Sequence, residues 1–522
     1  MVDNAVDDTT RLVQGRWRET ALWTVVAAAL VAWLTRKGLT TYFFAEAFVY
    51  LGAYREAGNS FIGALLRPHT AIFYRPSLWA VNLAWNLYAP PDALLYHMRN
   101  FVFVVLNALL LHRLLLRLVP DRFGRGVAIV FYVISKVHLT TIGYVATFST
   151  ILLLFATLAM FLGFCRWLER GRWIDFAITL FFAAFLAFSK DYGGVALLLL
   201  PVLAWARGAN VLRVMRPFVI PLVAIIVAYA GLRAWVSPAK PTGPYAPHAD
   251  IGVFARKSVQ AATTLANLSL FEGGGTNGAR GVTRWIWRDD SHAGRIAEGV
   301  MLLAFFGFAL VSFRAIARNP LPVSDQRGSA GDPALQRGMT RSLALVAFCL
   351  TWGALLFAPT LLGSNQQLYY HNDLVAASAV LLGAASARMW RPLTIAVLVL
   401  LALNAEVSQQ RPERYAWYVF SEELRPLATL RLPPVQRVVF VTDDRARWDF
   451  ALTADGNAPF VQMILGRPEL HVRVSNAAYV RPDELAIDVR TTFPESPPRP
   501  APAPPRSGRD ASAARRPRAA AS

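Results

Sequence analysis

Ionisable side chains stand beside apolar segments at several points of this 522-residue sequence. Glu46 follows the first long apolar run, Arg75 lies further along the chain, and Lys190 ends a later apolar run. A carboxylate can accept the proton of an attacking hydroxyl, and Arg or Lys side chains can neutralise a phosphate leaving group. These residue types therefore suit the transfer of a group from a phosphate ester, provided that the fold brings them together.

Local spacing extends this set of candidates around Glu46. In a helix, Glu46, Tyr50 and Tyr54 would lie at i, i+4 and i+8, on one stripe. We therefore expect the two tyrosines to support Glu46. The other candidates lie near the ends of further apolar segments: His97, Arg99, Lys136, His138, Asp191, Tyr370 and His371.

The second long apolar segment carries a polar stripe. His97, Asn100 and Asn107 share one helical face within otherwise apolar sequence. Polar side chains in a membrane-spanning helix are costly when they face lipid. We therefore expect this stripe to face protein or a water-filled cavity.

The composition indicates a membrane protein. Hydrophobic residues make up 55% of the chain and charged residues 16%, whereas soluble domains carry about 25% charged residues. A net charge of +20 also occurs in nucleic-acid-binding proteins, but in so apolar a chain it fits the positive-inside rule. We expect membrane lipids, and no nucleic acid, among the partners.

Eleven segments approach the roughly 20 apolar residues that a membrane-spanning helix needs. The first follows a polar N-terminal stretch and is predicted to be retained rather than cleaved as a signal peptide. The predicted fold is mainly α, a polytopic transmembrane helical bundle. Its spans are residues 20–36, 94–118, 126–144, 147–165, 173–189, 192–206, 217–236, 298–317, 342–362, 368–387 and 392–406.

Arginines alternate with these spans. With the N-terminus in the cytoplasm, every cytoplasmic turn is arginine-rich, and the short opposite turns hold few basic residues. This pattern predicts a multi-pass protein of the cell (inner) membrane, with the C-terminal domain outside the cytoplasm. The cytoplasmic turns carry Arg117, Arg122, Arg125, Arg166, Arg170, Arg172, Arg207, Arg213, Arg216, Arg314, Arg318, Arg327, Arg337, Arg341, Arg388 and Arg391.

The chain divides by composition into four parts. Residues 1–19 are a cytoplasmic segment, and 20–406 form the transmembrane domain with outer loops 37–93 and 237–297. Short amphipathic stretches in both loops are suited to lying on the membrane surface. Apolar runs in the part that follows predict a small α/β or β-rich extracytoplasmic domain, and the Pro-, Ala- and Arg-rich tail predicts disorder. These last two parts are 407–490 and 491–522.

The predicted topology places most of the candidates at the outer surface, where each also has an ordinary structural role open to it. Glu46 could cap or pair within its loop, and His97 could be a hydrogen-bonded interior histidine. Tyr370 could belong to an interfacial belt of aromatic residues. Long basic side chains could extend to lipid headgroups, as is open to Arg99, Lys136 and Lys190.

An ordered series of segments resembles the GT-C superfamily of integral-membrane glycosyltransferases, which use polyprenyl-phosphate sugars. The likeness is strongest to bacterial relatives of the protein O-mannosyltransferases and covers roughly residues 20–405. It rests on order, spacing and membrane side of short motifs: Glu46 after the first span, Tyr74-Arg75-Pro76, Tyr96-His97, Ser189-Lys190-Asp191 and the segment 358–384.

The resemblance implies a hexosyl- or pentosyltransferase that inverts the anomeric centre, with Glu46 as base toward a hydroxyl of an extracytoplasmic protein, glycan or lipid. It implies that Arg75 and Lys190 hold the donor phosphate, with His97, Tyr370 and His371 as further candidates. Tyr50, Tyr54, Arg99, Lys136, His138 and Asp191 are expected to support them.

Two positions depart from the family pattern. Glu46 is followed by Ala47 where the family has Asp, often doubled or followed by Glu, so a metal site there lacks its second ligand. Lys136 stands where a proline is usual and is a candidate for phosphate contact.

Cys165 and Cys349 are far apart in apolar runs and predict packed side chains rather than a metal site or a disulfide. We expect no cofactor.

Two other functions are compatible with eleven spans and interior polar residues. A transporter or flippase of lipid-linked sugars would place polar residues near the bilayer midplane, often with internal repeats. Here the polar residues gather at one surface and no repeat is visible. An inactive scaffold of the same architecture is the third hypothesis, and it is motivated by the absent second acid beside Glu46.

Overall fold

The computed structural model describes most of the helical part of the chain. The positions of Glu46, Tyr50 and Tyr54 lie outside the described residues, as does the predicted disordered tail. The described residues are 2–43, 74–89, 92–237, 251–268, 292–318, 333–362, 368–410, 421, 424–425, 431–443, 467, 470–475 and 480–489.

The chain is mainly helical, as the sequence predicts. Short 3₁₀ turns occur at Gly38–Thr40, Val145–Thr147, Gly193–Leu198 and Leu368–His371. The helices are α1 (Val2–Thr35), α2 (Pro76–Tyr88), α3 (Ala93–Leu118), α4 (Arg122–Val133), α5 (Val137–Gly143), α6 (Phe148–Arg170), α7 (Trp173–Ala187), α8 (Leu199–Ala206), α9 (Val211–Val236), α10 (Ile251–Leu265), α11 (His292–Arg318), α12 (Pro333–Leu362), α13 (Asn372–Ser386) and α14 (Arg391–Gln410).

Each of the eleven predicted spans falls on one or two of these helices. By length and composition, four segments of the described chain can cross a membrane: Ala93–Leu118, Val145–Arg170, Val211–Val236 and Ser342–Pro359. The pair α4 and α5, bent by 52°, makes a fifth if it is one span. Other predicted spans lie on shorter apolar helices, such as α7 and α13. The architecture is that of a multi-pass helical bundle.

The bend between α4 and α5 exposes backbone groups that need partners inside the bundle. Asn267 supplies them, because its Nδ2 donates to the carbonyl of Ile134 at 2.9 Å and its Oδ1 accepts from the backbone N–H of Lys136 at 2.9 Å. Asn267 has φ of 54°, a left-handed conformation that asparagine tolerates better than most residues. Lys136 therefore lies at a break between two helices. The side chain of Asn267, rather than a proline, stabilises this break.

Close helix packing holds α4 against α13. Gly124 and Gly383 face each other, and an added Cβ at either would clash with the backbone of the other. Small residues allow such approaches between membrane helices. A shared apolar core extends from this crossing through α3, α6 and α12, and Trp352 is fully buried in it.

α10 has its polar face inward. Lys257, Gln260 and Thr264 are buried, whereas Ile251 and Phe254 are 85% and 52% exposed. A helix of a soluble protein shows the opposite pattern. The arrangement fits the predicted surface helix with its apolar side in lipid. Burial lowers the pKa of Lys257 to about 8.

A small parallel sheet lies near the C-terminus, within the described residues of 431–489. Its strands are β1 (Arg437–Val441), β2 (His471–Ser475) and β3 (Leu485–Asp488), in the order β2-β1-β3. Both neighbours run parallel to β1, with Val439 opposite Arg473 and Ala486. The first two strands confirm the strands expected from the apolar runs of this part of the chain.

Candidate functional site

Arg75 and Arg233 meet at the carboxylate of Asp191. Arg75 precedes α2, Asp191 follows α7, and Arg233 lies in the last turn of α9. Nη2 of Arg75 is 3.4 Å from Oδ2 of Asp191, and Nη1 of Arg233 is 3.2 Å from its Oδ1. Only 10–27% of each side chain is exposed, so water screens these charges less than at an open surface. Two guanidiniums directed at one anion can also hold phosphate oxygens.

Aromatic rings frame this junction. Tyr74 and Tyr229 stack with ring centroids 6.4 Å apart, and the Tyr229 hydroxyl donates to Oδ1 of Asp191 at 3.3 Å. The backbone N–H of Ser77 donates to the carbonyl of Phe188 at 3.1 Å, which ties α2 to the end of α7. Burial raises the pKa of Tyr74, so its phenol is neutral near pH 7 and serves as a packing surface.

Lys190 lies between two tyrosine rings beside this junction. Its Nζ is 4.6 Å from the ring centroid of Tyr370 and 4.9 Å from that of Tyr192, and the residue is only 3% exposed. Asp373 is close enough to interact electrostatically with the ammonium, and it accepts a hydrogen bond from Nε1 of Trp352 at 3.1 Å. Aromatic faces and a carboxylate can keep a buried ammonium charged.

A tight turn after α7 places Lys190. The Ser189 hydroxyl donates to the carbonyl of Phe185 at 2.6 Å, and the N–H of Gly193 donates to the carbonyl of Lys190 at 2.7 Å. A Cβ at position 193 would overlap the carbonyl of Leu186, so the turn needs glycine there. We refer to Arg75, Lys190, Asp191 and Arg233 together as the arginine–lysine cluster.

His97 is held by the protein backbone on both sides of its ring. Nδ1 is 2.6 Å from the carbonyl oxygen of Ile142, and Nε2 is 3.1 Å from both the carbonyl oxygen and Oγ1 of Thr41. Thr41 begins the stretch that leads to Glu46. A role for His97 in phosphate binding stays a prediction. In this structure the ring joins α3, α5 and the backbone of Thr41.

The two asparagines of the polar stripe on α3 also contact backbone carbonyls. Nδ2 of Asn100 donates to the carbonyl of Thr141 at 2.9 Å, and Nδ2 of Asn107 donates to that of Ile151 at 3.0 Å. The expectation that this stripe faces protein is confirmed. We refer to His97, Asn100 and Asn107 as the histidine–asparagine network.

Arg99 is enclosed by protein rather than extended toward headgroups. It is 2% exposed, and Nη1 donates to Oδ1 of Asn82 on α2 at 2.6 Å. Its guanidinium carbon is 3.8 Å from the ring centroid of Phe148 and 5.1 Å from that of Tyr96. These contacts brace α2 against α3.

Three further candidates are buried around the break between α4 and α5. The Lys136 ammonium donates to the carbonyl of Leu268, just after the end of α10. Nε2 of His138 lies 2.9 Å from the carbonyl oxygen of Tyr132, and Nδ1 of His371 lies 2.9 Å from Oγ1 of Thr264. The structure thus places these residues in a group of their own, and their predicted roles stay predictions.

The described residues hold no group of three or more His, Cys, Asp or Glu side chains placed to bind a metal ion. Cys165 and Cys349 are both buried and unpaired, which agrees with the expected packing role.

Neither a protein-family model nor a curated protein sequence matches this chain. Among solved structures, it is similar to ArnT from Cupriavidus metallidurans, which was crystallised with undecaprenyl phosphate. The TM-score is 0.48 and the identity 12%, over 90% of each chain. A likeness at this level assigns neither a substrate nor a residue role to this chain.

Sequence reasoning missed three residues of the site, namely Arg233, Tyr229 and Asp373. Arg233 and Tyr229 lie on one face of α9, four residues apart, within a predicted span. An ionisable residue near the end of a span is the signal that could have singled out Arg233. Asp373 was overlooked for a different reason, because its contact with Trp352 depends on how α12 and α13 pack.

Proposed function

We propose that this chain is a membrane glycosyltransferase that moves a sugar from a polyprenyl-phosphate donor to a hydroxyl of an extracytoplasmic acceptor. The arginine–lysine cluster carries the proposal. Two short motifs that resemble those of lipid-dependent glycosyltransferases, one with Arg75 and one with Lys190 and Asp191, are more than 100 positions apart in sequence and adjacent in the fold.

The cluster suits a phosphate better than a neutral ligand. Arg75 and Arg233 share the carboxylate of Asp191, and Lys190 lies near Asp373, so the described residues of this region bring together three cations and two carboxylates. A bound phosphate adds negative charge where cations are in excess, and shielding from water strengthens each contact. In this proposal Arg75, Arg233 and Lys190 hold the phosphate, while Asp191 orients the two guanidiniums. Tyr370, His97 and His371 remain secondary candidates.

The chemistry is a single displacement. The acceptor oxygen attacks the anomeric carbon as its proton passes to the carboxylate of Glu46. The bond from the anomeric carbon to the phosphate oxygen breaks, and its electron pair leaves with the polyprenyl phosphate. The cluster stabilises the charge that develops on that oxygen. Inversion at the anomeric carbon follows from attack opposite the leaving group.

The exposed face of α9 supports a lipid donor. Ile220 and Val227 are 80% and 64% exposed, and only 11% of the apolar part of α9 is buried within the protein. Arg233 lies one to two turns beyond Val227 on the same helix. A polyprenyl chain in the bilayer can therefore lie along α9 with its phosphate at the cluster.

The first test uses membranes from cells that express the chain, supplied with a polyprenyl-phosphate sugar labelled in the sugar. Label is followed into protein, glycan and lipid fractions, which identifies the acceptor class. We expect Glu46→Gln to abolish transfer, because an amide cannot accept the proton. Glu169→Gln, at the opposite end of the bundle, is the matched control and should retain activity.

Two results would count against the proposal. Undiminished transfer by a folded Glu46→Gln protein excludes Glu46 as the base. Movement of intact labelled donor across the membrane, without a new glycosidic bond, would identify a flippase instead.

A further inference from the structure

A second group of arginines lies at the other end of the bundle. Arg113 and Arg117 are four residues apart near the end of α3 and share a face. Arg166 lies near the end of the neighbouring helix α6. The arginine–lysine cluster is instead at the end where α3 begins, so the two groups are separate. We refer to Arg113, Arg117 and Arg166 as the arginine triad.

The triad concentrates like charge in partly buried positions. Arg117 and Arg166 are both close enough to repel the guanidinium of Arg113. The nearby acid, Glu169, is shared between Arg117 at 3.2 Å and Arg207 at 3.1 Å. Within the described residues, no carboxylate forms an ion pair with Arg113 or Arg166. Bringing unpaired cations together away from water is unfavourable, and an anion bound between them would relieve it.

Capping of a helix end accounts for Arg117 but not for the rest of the triad. Arg117 donates to the carbonyl of Arg113 at 2.9 Å, and Arg207 donates to that of Arg117. Such contacts satisfy the last carbonyls of a helix. Arg113 makes a different contact: its guanidinium carbon is 3.8 Å from the ring centroid of Trp17. Capping therefore does not explain Arg113 and Arg166.

The surroundings point to the depth of lipid headgroups. Trp17 precedes the apolar part of α1 and is 60% exposed, and tryptophan is enriched where a membrane meets water. Basic pockets between membrane helices bind lipid phosphates. Here the aromatic ring also fixes one guanidinium in place.

We propose that Arg113 and Arg166, with Trp17 beside Arg113, bind the phosphate group of an anionic membrane lipid. The chemistry recognised is a phosphate ester, and the lipid is favoured over free phosphate by the position of the group. The proposal requires only that the helices span a bilayer, so it is independent of the transferase activity.

Native mass spectrometry of the detergent-solubilised full chain tests this site, with phosphatidylglycerol and phosphatidylcholine added in equal amounts. We expect the wild-type protein to retain phosphatidylglycerol in preference. Arg113→Gln with Arg166→Gln should weaken retention about 30-fold, the scale expected for two basic residues near a membrane surface. Arg213→Gln with Arg216→Gln removes the same charge from exposed arginines at the same end and should leave retention unchanged.

Each alternative outcome overturns the assignment. Equal loss in both double variants would mean general electrostatic attraction, and equal retention of both lipids would mean no phosphate site. Displacement of the lipid by millimolar inorganic phosphate would mean that the site takes free phosphate. If the double variant does not fold, Arg166→Gln alone decides the matter, because it leaves the contact between Arg113 and Trp17 intact.

Discussion

The arginine–lysine cluster and the histidine–asparagine network use similar residues in different ways. The cluster lies at the end of α7 and the network lies on α3, and each contains polar residues that looked alike as candidates in the sequence. In the network, His97 and Asn100 contact backbone carbonyls, which cannot move without unfolding a helix. In the cluster, Arg75 and Lys190 contact a carboxylate and aromatic rings, which are side chains that a ligand can displace or share. The difference separates residues that hold the fold from those that can hold a substrate.

Among substitutions in these two regions, Lys190→Gln should have the largest effect. Removing an ammonium that stabilises the leaving phosphate should lower kcat/KM by about 100-fold or more, equivalent to about 2.7 kcal/mol. Thermal stability should fall much less than activity, because Asp373 keeps its hydrogen bond from Trp352. Transfer of labelled sugar and thermal inactivation are measured on the same preparation. A large fall in stability with activity intact would mean that Lys190 stabilises the fold rather than the leaving phosphate.

The network should show the reverse pattern. Asn100→Leu removes one of the two side-chain donors to the carbonyl of Thr141 and also the amide oxygen that accepts from buried Arg99. The loss should cost about 1–3 kcal/mol of stability. Transfer per folded molecule should stay within a few-fold of wild type. The check is thermal inactivation together with kinetics below the transition. Loss of activity without loss of stability would mean that the network contacts substrate.

Arg233→Lys tests whether the geometry of the ion pair with Asp191, and not only its charge, matters for donor binding. Lysine keeps the charge but loses the planar fork that contacts two anions at once. We expect about a tenfold rise in the KM for the donor with kcat nearly unchanged, since part of the phosphate binding remains. Arg213→Lys, an exposed change on the same helix, is the control. An unaltered KM would remove Arg233 from the donor site.

The smallest effect should come from the ion pair between Arg473 and Glu484. This pair lies outside both the cluster and the network and serves as a reference for the two. Hydrogen bonds from Arg473 lower the pKa of Glu484 from 4.5 to about 2. A lowered pKa means that this stability is present above pH 4.5 and is lost as the pH falls toward 2. Glu484→Gln should lower the stability by at most about 1 kcal/mol at pH 7, and the difference should vanish near pH 2. A difference that grew at low pH would contradict this sign.

The order of helices could be read from the chain because apolar segments must be long enough to cross a bilayer and arginines prefer one side of it. The same reasoning predicted that Asn100 and Asn107 face protein or a water-filled cavity rather than lipid. It did not reveal the break at Ile134 or its stabilisation by Asn267, since that contact joins residues 133 positions apart.

The sequence by itself determined the class of fold, the approximate spans and the short motifs around Arg75 and Lys190, because periodicity and composition act locally. Only the tertiary structure decided which candidates meet. Arg233 reaches Asp191 because α9 packs beside α7. His97 is held by carbonyls because α5 breaks next to α3. Those outcomes depend on helix packing, including the approach of Gly124 to Gly383, and packing is set by contacts that no local pattern contains.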